Sequence, residues 1–191
     1  MRTFFCFELP ESVKKEVRGM ADSIDSPAYV KWVAPENLHV TLKFLGDVNR
    51  KELPGIKKRA KESASQVDPF EIKIDKLSSF PNPGFPKVIW LGSNSPPEEI
   101  FRLQKDLENR MEGLGFEKEK RDYVPHVTLG RTKDENERKI ERLGTKLKGL
   151  GLENDWTVSI DQLTLMESTL KPGGPEYDPV FHLDLGDQVE L

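Results

Sequence analysis

Cysteine and histidine are both scarce in this chain of 191 residues: one cysteine, Cys6, and three histidines, His39, His126 and His182. A lone cysteine excludes an intramolecular disulfide and a multi-cysteine zinc site, and it suits a reducing, cytoplasmic setting. Cys6 itself reads as a small buried hydrophobe in a strand. Also lacking is any run near the ~20 apolar residues that cross a bilayer, so no membrane insertion is expected. The opening "MRTFFCFELP" is broken by Glu8 and Pro10 and reads as a first strand, not a signal peptide. Nor is there an excess of basic charge: 29 Lys and Arg face 33 Asp and Glu, a net −4. A general basic field able to coat long nucleic acid is thereby excluded, and any anionic partner must be held locally. Short basic clusters do occur, at Lys57, Lys58, Arg59 and Lys61 and at Lys118, Lys120 and Arg121.

What is present is the balance of a soluble globular protein, 36% hydrophobic and 32% charged, long enough to bury a sizeable core. Apolar residues at helical spacing predict four helices, through Val13–Ile24, Leu53–Ala64, Ile100–Leu114 and Ile140–Leu147. β-rich runs at 3–8, 38–45, 70–77, 87–91, 123–131, 156–165 and 179–185 predict strands. The first half reads strand, helix, strand, helix, strand; the second repeats that order and adds a last strand, an architectural duplication. "SSFPNPGFPK" reads as an ordered hairpin excursion at the border of a cleft, and "LKPGGPEYDP" as the turn into the last strand.

Two of the three histidines head the same tetrapeptide, "HVTL", at His39–Leu42 and His126–Leu129. With ordinary residue frequencies the chance of that second match is on the order of one in a thousand. Strand alternation sets His39 beside Thr41, and His126 beside Thr128, while the Val and Leu of each copy turn to the core. Each copy thus presents an imidazole and a hydroxyl on one face. Two imidazoles, with an unperturbed pKa of about 6.5, can act as base and acid about one reacting centre. A phosphodiester fits: in-line attack at phosphorus needs a proton taken on one side and delivered on the other, while hydroxyls donate to the nonbridging oxygens.

The two His-x-Thr-x motifs, half a chain apart and embedded in "WVAPENLHVTLKFLGDV" and "YVPHVTLGR", resemble the two-histidine (2H) phosphoesterase superfamily. Within it they are similar to the RNA 2',3'-cyclic phosphodiesterase branch, also labelled 2'-5' RNA ligase. The resemblance covers nearly the whole chain. It implies an α+β fold of two pseudo-twofold lobes, each with an antiparallel-rich sheet packed by helices, with the active cleft between them. The chain would be one domain over 1–191, its lobes interleaved. The implied reaction opens a 2',3'-cyclic phosphate at an RNA 3' end, or a related cyclic or 2'-5'-linked nucleotide, to leave a 2'-phosphate. No metal or other cofactor takes part, and a monomer is expected. By the same resemblance His39 donates the proton to the leaving O3' and His126 activates water.

Around this pair, Arg131 matches an arginine the family sets near the phosphate, and a guanidinium suits paired phosphate oxygens. Strict alternation sends it to the wrong face, so it reaches the cleft only if the strand bulges or ends at Gly130. Lys43 shares the face of His39 and Thr41 by strict alternation and is expected to add positive charge to the cleft. Tyr123 is expected to stack on a base. Trp32 reads as core, Phe80 and Phe85 are weaker stacking candidates, and His182 lies outside any motif. Three rivals remain at this level: a metal-dependent hydrolase using the histidines as ligands, a ligase joining the cyclic end to a 5'-hydroxyl, and a non-catalytic nucleotide-binding module.

Overall fold

Helix formation follows the apolar spacing. In the computed structural model, which describes residues 1–152 and 154–187, α1 (Glu11–Asp22) buries Val13, Val17 and Ala21, and α2 (Leu53–Ala64) buries Ile56 and Ala60. The same spacing buries Ile100, Leu103, Leu107 and Met111 in α3 (Glu98–Glu112), and Ile140, Leu143 and Leu147 in α4 (Glu137–Gly149). Their starts carry the expected local chemistry: Asn49 and Glu52 cap the turn that leads into α2, and the Asn136 side chain accepts from the Lys139 amide at the head of α4.

Ten strands lie among the described residues: β1 (Arg2–Glu8), β2 (Val30–Trp32), β3 (His39–Asp47), β4 (Phe70–Ile74), β5 (Lys76–Asn82), β6 (Phe85–Gly92), β7 (His126–Thr132), β8 (Trp156–Ile160), β9 (Gln162–Lys171) and β10 (Gly174–Asp184). Two strand readings are corrected here. The runs 70–77 and 156–165 are each two strands, broken at Asp75 and Asp161, where the chain leaves a small sheet for the large one. The proline-rich stretch forms a hairpin, as expected, made of the end of β5, its turn and the start of β6, and Pro81 stands opposite Pro86 beside that turn. β2, at three residues, is too short to show a period.

The large sheet is antiparallel in the order β10-β9-β1-β3-β7-β6-β5, with β2 alongside β7. One lobe is β10-β9-β1-β3 and the other β7-β6-β5 with β2. They are interleaved: β2 belongs to the first half of the chain but sits in the second lobe, and β9 and β10 return from the second half to the first. The helices cross over too. α3 packs on β3 and against α2, while α4 packs on β5 and β6 and is tied to the segment after α1 by Lys146 and Asp25 at 2.7 Å.

The lobes meet at equivalent points of the repeat. β3 and β7 pair at Val40 and Val127, the second residue of each "HVTL". Behind them, β4 and β8 form the two-stranded sheet, with Ile72 opposite Val158 at its middle. The pseudo-twofold axis therefore runs through both pairs. Val40, Val127, Ile72 and Val158 are all buried in one core that draws on both halves of the chain.

Candidate active site

The pairing of Val40 with Val127 dictates what surrounds it. Antiparallel continuation sets His39 across from Thr128, and Thr41 across from His126, all four on the face opposite the two valines. Opposed residues stand about 5 Å apart and diagonal ones about 7–8 Å. The imidazoles thus occupy one diagonal of a square and the hydroxyls the other, and all four side chains line a single cleft of about 590 Å³.

Both rings are held alike. His39 Nδ1 lies 2.7 Å from the Asn37 carbonyl and His126 Nδ1 2.7 Å from the Val124 carbonyl. A carbonyl only accepts, so Nδ1 carries the proton in each ring and Nε2 is left for the cleft. At 2.9 Å the Thr41 hydroxyl donates to His39 Nε2. Aromatic rings back each imidazole: Phe4 and Tyr177 at 4.9 and 5.4 Å from His39, Phe80 and Trp90 at 5.2 and 5.9 Å from His126. Burial accordingly pushes His39 down to about 4, with the Asn37 carbonyl opposing and His126 adding to the fall. His126 is lowered by burial too, against its own carbonyl bond, and next by the charge of Arg131. Both rings are therefore neutral near pH 7.

A bulge just past each motif decides the next residues. Along β1, Cys6 faces Thr41 and Phe5 faces Lys43, leaving Leu42 extra; along β6, Trp90 faces Thr128 and Ile89 faces Gly130, leaving Leu129 extra. The alternation flips at the same place in both copies. Lys43 and Gly130 turn to the buried side, and Phe44 and Arg131 turn to the cleft, which both line.

Two expected cleft residues are thereby corrected. Lys43 does not reach the cleft: its side chain is 1% exposed, and its ammonium donates to Glu108 at 2.6 Å and to the Glu117 carbonyl at 2.8 Å, on the α3 side of the sheet. Tyr123 is not among the residues that line the cleft: its hydroxyl donates to the Thr41 carbonyl at 3.0 Å, its ring meets Phe101 edge-on at 6.1 Å, and burial raises its pKa. It ties the approach to β7 onto β3. Trp32 packs against the core and also lines the cleft; Phe80 backs His126, and Phe85 lies under Lys87. His182 contacts Thr164 at 3.0 Å and Glu8 at 3.5 Å, away from the cleft lining.

A family model, the 2'-5' RNA ligase superfamily, matches residues 9–171. The chain belongs to the 2'-5' RNA ligase superfamily. Among relatives of this superfamily member, the RNA 2',3'-cyclic phosphodiesterase of Methanothermobacter thermautotrophicus is 37% identical, over 93% of this chain and 95% of its own. That of Methanocaldococcus jannaschii is 34% identical, over 94% and 98%. The fold matches E. coli LigT, solved with 3'-AMP, at a TM-score of 0.77 and 24% identity, over 96% and 97% of the two chains. A Thermus thermophilus protein matches at 0.78 and 25%, over 99% and 100%.

Among the residues that line the superfamily member's cleft and went unnoticed in the sequence are Lys31, Phe44, Lys133 and Tyr177. Lys31 stands opposite Arg131 through β2, and that pairing is tertiary. Phe44 had a usable signal. Laying one "HVTL" on the other aligns Phe44 with Arg131, so whatever brings one to the cleft brings the other.

Proposed function

We propose that this chain is an RNA 2',3'-cyclic phosphodiesterase, and that His39, Thr41, His126, Thr128 and Arg131 carry the reaction. The observation that supports it most is the square of two imidazoles and two hydroxyls across the Val40–Val127 pair, on one face and over one cleft. A phosphorus atom set over its centre has an Nε2 on each side and a hydroxyl on each of the other two.

His126 is less enclosed than His39, which suits it to the water side. Its Nε2 takes a proton from water as the water oxygen bonds to phosphorus. The bond from phosphorus to O3' breaks on the far side, and His39 Nε2 gives its proton to O3'. The product carries a 2'-phosphate and a free 3'-hydroxyl; proton exchange with solvent resets the pair. Thr41, Thr128 and the Arg131 guanidinium stabilise charge on the nonbridging oxygens. His39 is neutral near pH 7, so its proton must come with the substrate: a phosphate anion beside it offsets the desolvation that lowered its pKa. Thr41 then turns its hydroxyl from His39 to the phosphate.

The side chain beside each imidazole is a hydroxyl, a donor set that favours metal-independent chemistry over a metal hydrolase. Ligation is the same exchange at phosphorus with a 5'-hydroxyl in place of water, and water's concentration favours hydrolysis. The test is product analysis on an oligonucleotide ending in a 2',3'-cyclic phosphate, with a 5'-hydroxyl partner present and with EDTA. Expected is a 2'-phosphate end, undiminished by the chelator, with His39→Ala and His126→Ala each slower by about two to four orders of magnitude. Turnover retained in either variant would point to a binding module, and activity lost to EDTA and restored by zinc to a metal enzyme.

A further inference from the structure

The repeat makes the two halves of the cleft comparable position by position, and they differ at the residue whose carbonyl holds each imidazole. For His126 that residue is Val124, an exposed apolar side chain. For His39 it is Asn37, whose side chain carries a donor. Asn37 closes the single turn Pro35–Asn37 between β2 and β3. That turn has no side-chain cap at its start, and its backbone bonds run only from the Asn37 amide to the Ala34 carbonyl and from the Leu38 amide to the Pro35 carbonyl. So short a turn, with hydrogen-bond geometry poorer than an α-helix has, does not hold its last carbonyl in place unaided.

The missing support comes from far along the chain. The Asn37 side-chain amide donates to the Pro175 carbonyl at 2.7 Å. Pro175 stands near the start of β10, in the β9–β10 hairpin, and Lys171 with residues 173–177 of that hairpin line the cleft. Among the described residues this is the one side-chain hydrogen bond that joins residues 168–178 to another element. Tyr177 of the same hairpin lies edge-on to the His39 ring at 5.4 Å. Asn37 thus sits at a junction. Its side chain grips the hairpin, its carbonyl grips His39 Nδ1, and the hairpin packs against the same ring.

We infer that Asn37 is a positioning residue for the proposed acid: by fastening its turn to the β9–β10 hairpin it keeps its carbonyl on His39 Nδ1, and so keeps Nε2 aimed at the leaving oxygen. This rests on the reading above for the role of His39. A carbonyl only accepts a hydrogen bond, so a firm one holds the Nδ1–H tautomer and also favours the doubly protonated ring that gives its proton to O3'. With the amide removed the turn is free to swing and the Nε2–H tautomer enters. The ring also becomes harder to protonate, because burial lowers its pKa and the Asn37 carbonyl is the foremost group opposing that fall. The other titratable groups facing His39 are Glu8, opposite it on β1, Lys14 from α1, His126 from β7 and Tyr177 from β10. None of them bonds to the Asn37 side chain, so its removal leaves them in place.

The test compares wild type with N37A and with N37L, which keeps the volume of the side chain without its donor. NMR of the ring nitrogens reports tautomer and titration with no substrate present. Expected in both variants is a share of the Nε2–H tautomer at His39 and a lower titration midpoint there, with His126 unchanged. On an oligonucleotide ending in a 2',3'-cyclic phosphate, kcat is expected to fall by about 10- to 100-fold, the size of effect that lost alignment brings, with KM within about threefold of wild type. His39 keeping its wild-type tautomer and midpoint, or both rings shifting together, overturns the inference. So does loss of folding in both variants, which makes Asn37 a structural residue, and so does a raised KM with kcat unchanged, which makes it a substrate-binding group. If wild type itself shows no turnover, the proposed reaction falls instead, and the His39 tautomer in the two variants still decides Asn37.

Discussion

His39 and His126 share a tetrapeptide, a tautomer and a carbonyl two residues back, yet their surroundings hold them at different depths. Since both pKa values are lowered in the free protein, His39 to about 4, the bell of kcat/KM against pH is expected to lie on the acid side of 6.5. Bound phosphate draws protons onto the rings, so the bell of kcat is expected at higher pH; coincident optima would count against the arrangement. The same shift acts on stability. An imidazole that resists protonation when folded makes the unfolded chain bind more protons between about pH 4 and 6.5. Stability is therefore full above about 6.5 and is lost as pH falls toward 4. His39→Asn keeps a donor for the Asn37 carbonyl and removes the titration, so denaturant unfolding across that window should show a shallower slope. Lys43 makes the opposite case. Lys43→Met strands Glu108 in a buried site and is expected to cost about 3–5 kcal/mol in unfolding experiments, with kcat/KM nearly unchanged; a large loss of activity without loss of stability would return Lys43 to the cleft.

At the scale of elements, the two bulges are the devices that build the cleft wall, and Gly130 is what lets the second one fit. A Cβ at Gly130 would lie 2.7 Å from Val30 Cγ1 and 2.8 Å from Trp32 Cε3, because β2 is laid against β7 at that point. Gly130→Ala is expected to cost about 1–3 kcal/mol from overpacking, and to lower kcat/KM as β2 is pushed away and Lys31 and Arg131 with it. Thermal unfolding and kinetics on the cyclic substrate check both parts. In the first copy Lys43 takes the matching place and has Glu108 to meet it, so no glycine is needed. Such pairings explain which strands were legible. The helices and the motif strands repeat their period over enough residues to be read, whereas β2 has three residues and β5 was hidden by Pro81 near its end and Pro83 in the turn after it. Breaks at Asp75 and Asp161 were invisible because both sides have strand character and only the sheet they join differs.

At the scale of the molecule, the lobes cannot be separated by a cut. β2 completes the second lobe from the first half, β9 and β10 complete the first lobe from the second half, and β4 pairs with β8 across the axis. We propose that the whole chain is one folding unit; residues 1–94 and 95–191, which part β4 from β8 and β2 from β7, are expected to lack cooperative unfolding when expressed apart, as judged by circular dichroism, and a cooperative transition in either half would show the proposal wrong. The repeated tetrapeptide, the duplicated order of elements, the helical faces and the absence of any cysteine framework were determined by the sequence alone, because they depend on local period and residue chemistry. The sequence also named the two imidazoles and two hydroxyls, since identical strands must present them identically. Only the tertiary structure decided that Val40 meets Val127, which sets those four groups in a square, and that one extra residue in each strand sends Lys43 inward and Phe44 and Arg131 outward. Register and bulges depend on the neighbouring strand, and no residue carries that information by itself.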